Sequence, residues 1–192
     1  RRHRLTSVGR PLPDVEIRVI DEDGNVAPPG VTGEVFLRTA RAMTGYWGKG
    51  GGARVLLDSE RWVHTGDLGY LDEDGYLFLT GRASDLIIRG GENISPNEIE
   101  EVLERSDDVE EAVAFGVVDD HWGERVEAAV RLVPNATVTE SDLIEMCKAS
   151  LSGAKRPDRI YVVEDFPRTA TGKVLRRQLS KDFGPQAVDV AN

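Results

Sequence analysis

Four stretches of the chain combine residue types that handle charged, oxygen-rich ligands. His64-Thr65-Gly66-Asp67 places a carboxylate directly after a glycine turn. Such a carboxylate accepts two hydrogen bonds from a vicinal diol such as a ribose, or simply caps an ordinary turn. Gly81-Arg82, with Asp85 three residues on, offers a guanidinium. It can bind phosphate or ribose oxygens, or pair with Asp85 to lock a junction. In Arg89-Gly90-Gly91-Glu92-Asn93-Ile94-Ser95-Pro96, the adjacent Gly90 and Gly91 allow close backbone approach to a ligand or a tight turn. Pro167-Arg168-Thr169-Ala170-Thr171-Gly172-Lys173 reads as a mobile polar loop presenting one lysine. Its ammonium suits a phosphate, or negative charge developing in a transition state, or is plain surface.

Other chemistries find little support. His3, His64 and His121 are scattered and Cys147 is the single cysteine, so no zinc site is expected and no internal disulfide can form. His121 and Trp122 sit in a polar turn and read as structural. Cys147 falls on an apolar helix face beside Met146 and reads as core rather than nucleophile. Asp-Glu-Asp-Gly occurs at 21–24 and 72–75 but lacks the ligand spacing of a calcium loop, so both copies read as hairpin turns. Gly48-Lys49-Gly50-Gly51-Gly52 lacks a Gly-Lys-Ser/Thr ending and reads as a surface turn.

Composition sets the frame. The chain has 192 residues, 40% of them hydrophobic, and a formal net charge of −10. That length suits one domain or two small ones, and the acidic balance argues against a nucleic-acid binder. No apolar run is long enough to span a membrane, and the basic start Arg1-Arg2-His3-Arg4 is followed by no apolar stretch of the secretory kind. The cysteine usage fits a reducing compartment, most simply the cytoplasm. The charge is unevenly spread. Residues 92–127 carry 13 acids and two bases, whereas 155–181 carry eight bases and three acids. The acidic block reads as a solvated face, and the basic one as a surface suited to a phosphate-bearing ligand.

These residues need elements to position them. Val15 to Ile20 alternates apolar and charged residues, and Gly33 to Arg38 follows as a second strand. Leu68–Leu71 and Tyr76–Leu79 flank the second Asp-Glu-Asp-Gly turn. After Arg82 the texture changes. Ser95-Pro96-Asn97-Glu98 reads as a capping box, followed by Ile99, Val102 and Leu103 at helical spacing. Glu111–Val118, Val126–Val133 and Ile160–Val163 read as strands. Thr139-Glu140-Ser141-Asp142 opens a helix with Leu143, Met146, Cys147 and Leu151 inward, and Val174–Phe183 reads as a basic helix. The polar junction at 80–85 is a natural place for a hinge.

Weak singly, these motifs resemble in order and spacing the adenylate-forming superfamily: acyl-CoA synthetases, peptide-synthetase adenylation domains and luciferase. The resemblance runs from Val8-Gly9-Arg10-Pro11-Leu12-Pro13 to the helix after Lys173. It implies an α+β fold: residues 1–81 as a β-rich, barrel-like subdomain ending a large N-terminal domain, 82–84 as hinge, and 85–192 as a small α+β C-terminal domain. It implies ATP, Mg2+ and coenzyme A as cofactors of the full-length parent. Asp67 would hold the ribose hydroxyls, Arg82 would contact the nucleotide, and Lys173 would be the catalytic lysine of adenylation. The Gly90 and Gly91 face would guide the coenzyme A thiol after the small domain rotates. Gly90 to Pro96 looks most like the acyl-CoA synthetases, with a carboxylic acid, expected to be a fatty acid, as substrate.

Two departures stand out. The family's hinge residue is usually Asp or Lys, and here it is Ser84. The family's Ser/Thr/Gly-rich phosphate loop and its Tyr-Gly-x-Thr-Glu segment do not occur. The chain is therefore expected to be the C-terminal portion of a longer enzyme, inactive alone, with the N-terminal domain as its partner. The alternatives are a non-catalytic folded module, or a parent that stops at the acyl-adenylate or passes it to another acceptor.

Overall fold

The computed structural model describes residues 6–43, 45–47, 53–55 and 57–184, so the Arg1–Arg4 start and the 48–52 turn lie outside the described residues. The chain divides into two compact units, Arg1–Ser84 and Asp85–Asn192. No helix among the described residues is long and apolar enough to cross a membrane.

The first unit is built on β1 (Glu16–Ile20), β2 (Gly33–Arg38), β5 (Val63–Leu71) and β6 (Leu77–Arg82), an antiparallel sheet in the order β1-β2-β5-β6. A separate ribbon pairs β3 (Gly45–Trp47) with β4 (Ala53–Val55). Among the described residues the barrel-like subdomain is an open sheet, not a closed barrel. The main sheet has four strands, with β1 and β6 at its two edges, and closing a barrel takes more strands tilted into a common shear. Val19, Val35, Trp62, Leu77 and Phe78 are buried. The Arg18 and Arg38 guanidiniums lie 4.3 and 4.6 Å from the Trp62 ring centroid, close enough for cation–π attraction. Both acidic turns work as hairpin chemistry. Asp21 Oδ1 accepts from the backbone N–H groups of Asp23 and Asn25, and Asp72 Oδ1 from that of Tyr76.

The second unit centres on an antiparallel pair, β9 (Val109–Asp119) and β10 (Gly123–Leu132). β9 occupies one edge of β10 along its whole length. The other edge therefore carries β11 (Arg159–Val162), parallel, and β7 (Ile87–Arg89), which joins at Gly123 and continues to β8 (Glu92–Ile94). Helices α1 (Pro96–Leu103) and α2 (Glu140–Ser150) cover one face. Ile99, Val102, Leu103, Leu143 and Cys147 pack there on Ala112, Ala114, Val126, Ala128 and Val130. Helix α3 (Arg176–Asp182) covers the other face, where Leu179 and Phe166 meet Val113, Phe115, Val117 and Ala129. Burial on both faces explains why 112–117 reads as an unbroken apolar run rather than an alternating one.

Several details differ from expectation. Ser95 makes no side-chain cap bond at α1, and Glu98 instead binds Lys155 Nζ at 2.7 Å. The capping box forms at α2, where Thr139 and Asp142 bond reciprocally. The acidic block is not wholly solvated, because Glu127 is fully buried. Its carboxylate accepts from Arg125 Nε at 2.6 Å and from the Tyr161 hydroxyl at 3.0 Å. Burial first, and the Glu127 charge second, raise the Tyr161 hydroxyl above its ordinary pKa. A buried charge that loses one of two partners keeps its desolvation cost. Tyr161→Phe is accordingly expected to lower the unfolding free energy by about 1–3 kcal/mol in urea titration, with the denaturant slope unchanged. Cys147 is fully buried, and burial pushes its thiol up to about 11. Iodoacetamide at pH 8 should leave the native chain unmodified and add a single adduct once urea unfolds it, because the thiolate is the nucleophile.

Candidate functional site

Asp67 lies within β5, not in a turn between elements. Phe36 pairs with His64 and Glu34 with Leu68, so Thr65, Gly66 and Asp67 together oppose Val35 in a bulge. Bulges bend a strand and re-aim its side chains. The Thr65 hydroxyl donates to the Val35 carbonyl at 2.7 Å and accepts from the Asp67 N–H at 3.0 Å. Asp67 thus emerges at a fixed place on the strand, with its side chain 28% exposed.

Arg82 is the direct cross-strand partner of Asp67, and its Nε lies 3.0 Å from Asp67 Oδ1. The two candidate residues of the first unit are therefore brought together. The pairing of Arg82 with Asp85 considered from sequence is not the one observed. Asp85 Oδ2 instead lies 3.8 Å from Arg176 Nε. Ser84 is exposed in a short 3-10 turn, Ala83–Asp85. The His64 ring centroid lies 4.2 Å from that of Phe36, the rings tilted by 58°, and its Nδ1 lies 3.8 Å from Glu34.

In the second unit, Gly90 and Gly91 form the two-residue turn of the β7–β8 hairpin. Their φ values are 59° and 86°, as a type I′ turn requires at both central positions. The tight-turn reading is thus realised. The Gly90 N–H donates to the Trp122 carbonyl at 2.8 Å, and a Cβ at Gly90 would lie 3.1 Å from the Trp122 ring. Trp122 is itself held by Asp119, whose Oδ1 accepts the N–H groups of His121 and Trp122. Those bonds, led by that from Trp122, keep the Asp119 carboxyl below its ordinary range. Arg89 ties the hairpin to the loop after α2, donating to the carbonyls of Ala154 and Arg156 and to Asp158. A cleft of about 300 Å3 beside the turn is lined by Arg89, Gly90, Glu92, Trp122, Gly153 and Ala154.

The lysine segment is no irregular loop. Arg168 bridges Val174, the Thr169 N–H donates to the Lys173 carbonyl, and the Gly172 N–H to the Thr169 carbonyl. With Gly172 at φ 86° this is a three-residue hairpin closed by a glycine bulge. Both its ends are anchored. Arg168 pairs with Glu111 of β9, while Arg176 donates to Glu100 of α1 and to the Ala114 carbonyl. Lys173 is exposed, and its ammonium has no ion-pair partner among the described residues. Arg168, Arg176, Glu100 and Glu111 were not singled out from sequence. Their charges sit far apart in the chain, and only the fold pairs them.

Among the described residues no group of three or more His, Cys, Asp or Glu side chains could hold a metal ion.

Known proteins give the arrangement a family. Residues 98–173 match the AMP-binding enzyme C-terminal domain, and residues 1–47 match the AMP-binding enzyme model. The fatty acid–[acyl-carrier-protein] ligase ScoC of Streptomyces coeruleorubidus is 43% identical over 93% of this chain and 34% of its own. The oxalate–CoA ligase of Arabidopsis thaliana is 40% identical over 94% of this chain and 35% of its own. The crystal structure of ATP-bound MatB from Rhodopseudomonas palustris superposes with a TM-score of 0.85 at 33% identity, over 93% of this chain and 36% of that one. The chain thus spans about a third of the length of the curated relatives it matches. It belongs to the AMP-binding, adenylate-forming enzymes and corresponds to the C-terminal part of their chains.

Proposed function

We propose that this chain is the C-terminal portion of an AMP-forming acyl-CoA synthetase. The observation that carries this reading is Lys173: an exposed ammonium without an ion-pair partner among the described residues, on a hairpin anchored at both ends. A fixed cation is what the first half-reaction needs. A carboxylate oxygen attacks the α-phosphorus of ATP, the bond to the β-phosphate oxygen breaks, and pyrophosphate leaves with its charge. Lys173 stabilises charge spread over the transferring phosphoryl group. Asp67 accepts the two ribose hydroxyls. Arg82 Nε orients that carboxylate through Oδ1, and its remaining N–H groups face the nucleotide.

In the second half-reaction the thiol sulfur of coenzyme A attacks the acyl carbon. AMP departs and the thiol proton is released. The Gly90–Gly91 turn guides the pantetheine arm. Residues 82–84 are the hinge between the two steps, and Ser84 supplies a hydroxyl there where the family usually has a charge. ATP, with Mg2+, and coenzyme A are the co-substrates of the full-length enzyme. Oxalate–CoA ligase among the relatives supports coenzyme A as acceptor, and ScoC supports a fatty acid as substrate. ScoC's printed activity also favours a second reading, in which an acyl carrier replaces coenzyme A. Product analysis with each acceptor decides between them.

In the full-length enzyme, Lys173→Ala is expected to lower ATP–pyrophosphate exchange by about 10²–10³-fold, the loss typical of one transition-state donor. Transfer from a preformed acyl-adenylate should survive, and equal loss of both steps would overturn the role of Lys173. For the isolated chain, calorimetric titration with ATP should show no tight, saturable site, because Asp67 and Arg82 reach the ribose side of the nucleotide and supply few phosphate contacts. Tight binding by the chain alone would contradict this division of labour.

A further inference from the structure

The β7–β8 hairpin is lightly attached to its sheet. Its register with β10 consists of one pair, Gly123 with Arg89. Beyond it, the Ile88 N–H donates not to a backbone carbonyl but to a side chain: Glu124 Oε2, at 2.7 Å. The carboxylate takes the place of a ladder acceptor two residues before Gly90. It is a charged acceptor on a partly exposed N–H, a class of bond stronger than its neutral counterpart.

The neighbouring strand is cut to fit that carboxylate. Gly116, on β9, pairs with Val126, while Glu124 pairs with Val118, so Gly116 lies diagonal to Glu124. A Cβ at Gly116 would fall 2.8 Å from Glu124 Cδ and 2.9 Å from each carboxylate oxygen. The φ of Gly116 is not in the left-handed region, so what glycine supplies there is space for the Glu124 carboxylate in this position, not backbone freedom. Gly116, Glu124 and the Ile88 N–H thus form one small device: a notch, a carboxylate lying across it, and the amide it holds.

We infer that Glu124 is a positioning residue for the thioester-forming step, with Gly116 as the notch that admits it. The inference rests on the assignment of the Gly90–Gly91 turn to thiol delivery. The turn is held at Gly90 by the Trp122 carbonyl and at Arg89 by the carbonyls of Ala154 and Arg156. The Glu124 bond fixes the strand leading into it. Without that bond the hairpin keeps its core anchors, Ile87 and Ile94, both essentially buried. It loses the contact that sets the tilt of β7 against β10. The Lys173 hairpin is anchored elsewhere, on Glu111, Glu100 and the Ala114 carbonyl, so adenylation does not depend on this carboxylate.

Two measurements test this. On the chain itself, amide hydrogen exchange at Ile88 should accelerate about tenfold in Glu124→Ala, the weight of one charge-assisted bond, and little in Glu124→Gln, whose amide oxygen still accepts. In the full-length enzyme, Glu124→Ala should slow acyl transfer from a preformed acyl-adenylate to coenzyme A by a similar factor of about ten, with ATP–pyrophosphate exchange nearly unchanged. Gly116→Ala should reproduce both effects, and adding it to Glu124→Ala should cost nothing further, since the clash is with the carboxylate that is gone. If Gly116→Ala fails to fold, the Ala and Gln variants of Glu124 carry the test alone. Unchanged Ile88 exchange, equal loss of both half-reactions, or equal defects in Ala and Gln variants would overturn the inference. Gly91→Val, strained at φ 86°, separates the two levels. If it spares transfer, the role of the turn itself falls, and this inference with it. If it impairs transfer while Glu124→Ala does not, only the positioning role falls.

Discussion

The lysine hairpin keeps its place because arginines on either side of it are bonded to one strand and one helix. Arg168 reaches Glu111 near the start of β9, and Arg176 reaches the Ala114 carbonyl and Glu100 on α1. Glu100 also accepts the Ala114 N–H at 2.8 Å, so the guanidinium and the strand amide share one carboxylate. Remove these pairs and a polar segment of small residues has little else to hold it, since Val174 is the hairpin's contribution to the apolar core. Individually such half-exposed pairs are worth little; as a network on a rigid strand they define a position.

The same pairing gives the uneven charge of the chain a different meaning. The acidic stretch 92–127 and the basic stretch 155–181 face each other across the second unit. Glu98 holds Lys155, Glu111 holds Arg168 and Glu100 holds Arg176. Three of the eight bases of that stretch are therefore spent on acids of the other, whereas Lys173, Arg177 and Lys181 have no ion-pair partner among the described residues. A blockwise reading of charge cannot separate a partnered cation from an unpartnered one, because ion pairing depends on which strands become neighbours.

Legibility followed the range of the interaction. The turns at 21–24 and 72–75, the start of α2 and its inward face Leu143, Cys147, Leu151 depend on residues a few positions apart, and they were readable, whereas the capping box expected at Ser95 forms instead at Thr139. The bulge that carries Asp67 was not, since it exists only relative to the register of β2 against β5. The β7–β8 hairpin was missed because its strands have three residues each, too short for a period to show. Glu127 was assigned to solvent because a carboxylate ordinarily belongs there. Its burial depends on Arg125 beside it and on Tyr161, 34 positions away. The motif residues Asp67, Arg82, Gly90, Gly91 and Lys173 were visible as types in order. The groups that orient them, Thr65, Glu124, Arg168 and Arg176, were not.

The β9–β10 pair also acts as a ruler. The glycine turn is tied to its hairpin end, at Asp119, Trp122 and Gly123, and the lysine hairpin to its far end, at Glu111. Glu111 and Asp119 are eight steps apart on one strand, about 26 Å at roughly 3.3 Å per residue. The separation of the two anchorages is thus specified by the number of residues in a strand, not by the loops. Lengthening both strands by two residues would move the anchorages apart by about 7 Å with every side chain still facing its own core. Lengthening by one would exchange the two faces, and with them the two cores. A strand's residue count, which carries no motif, is in this molecule a dimension of the machine.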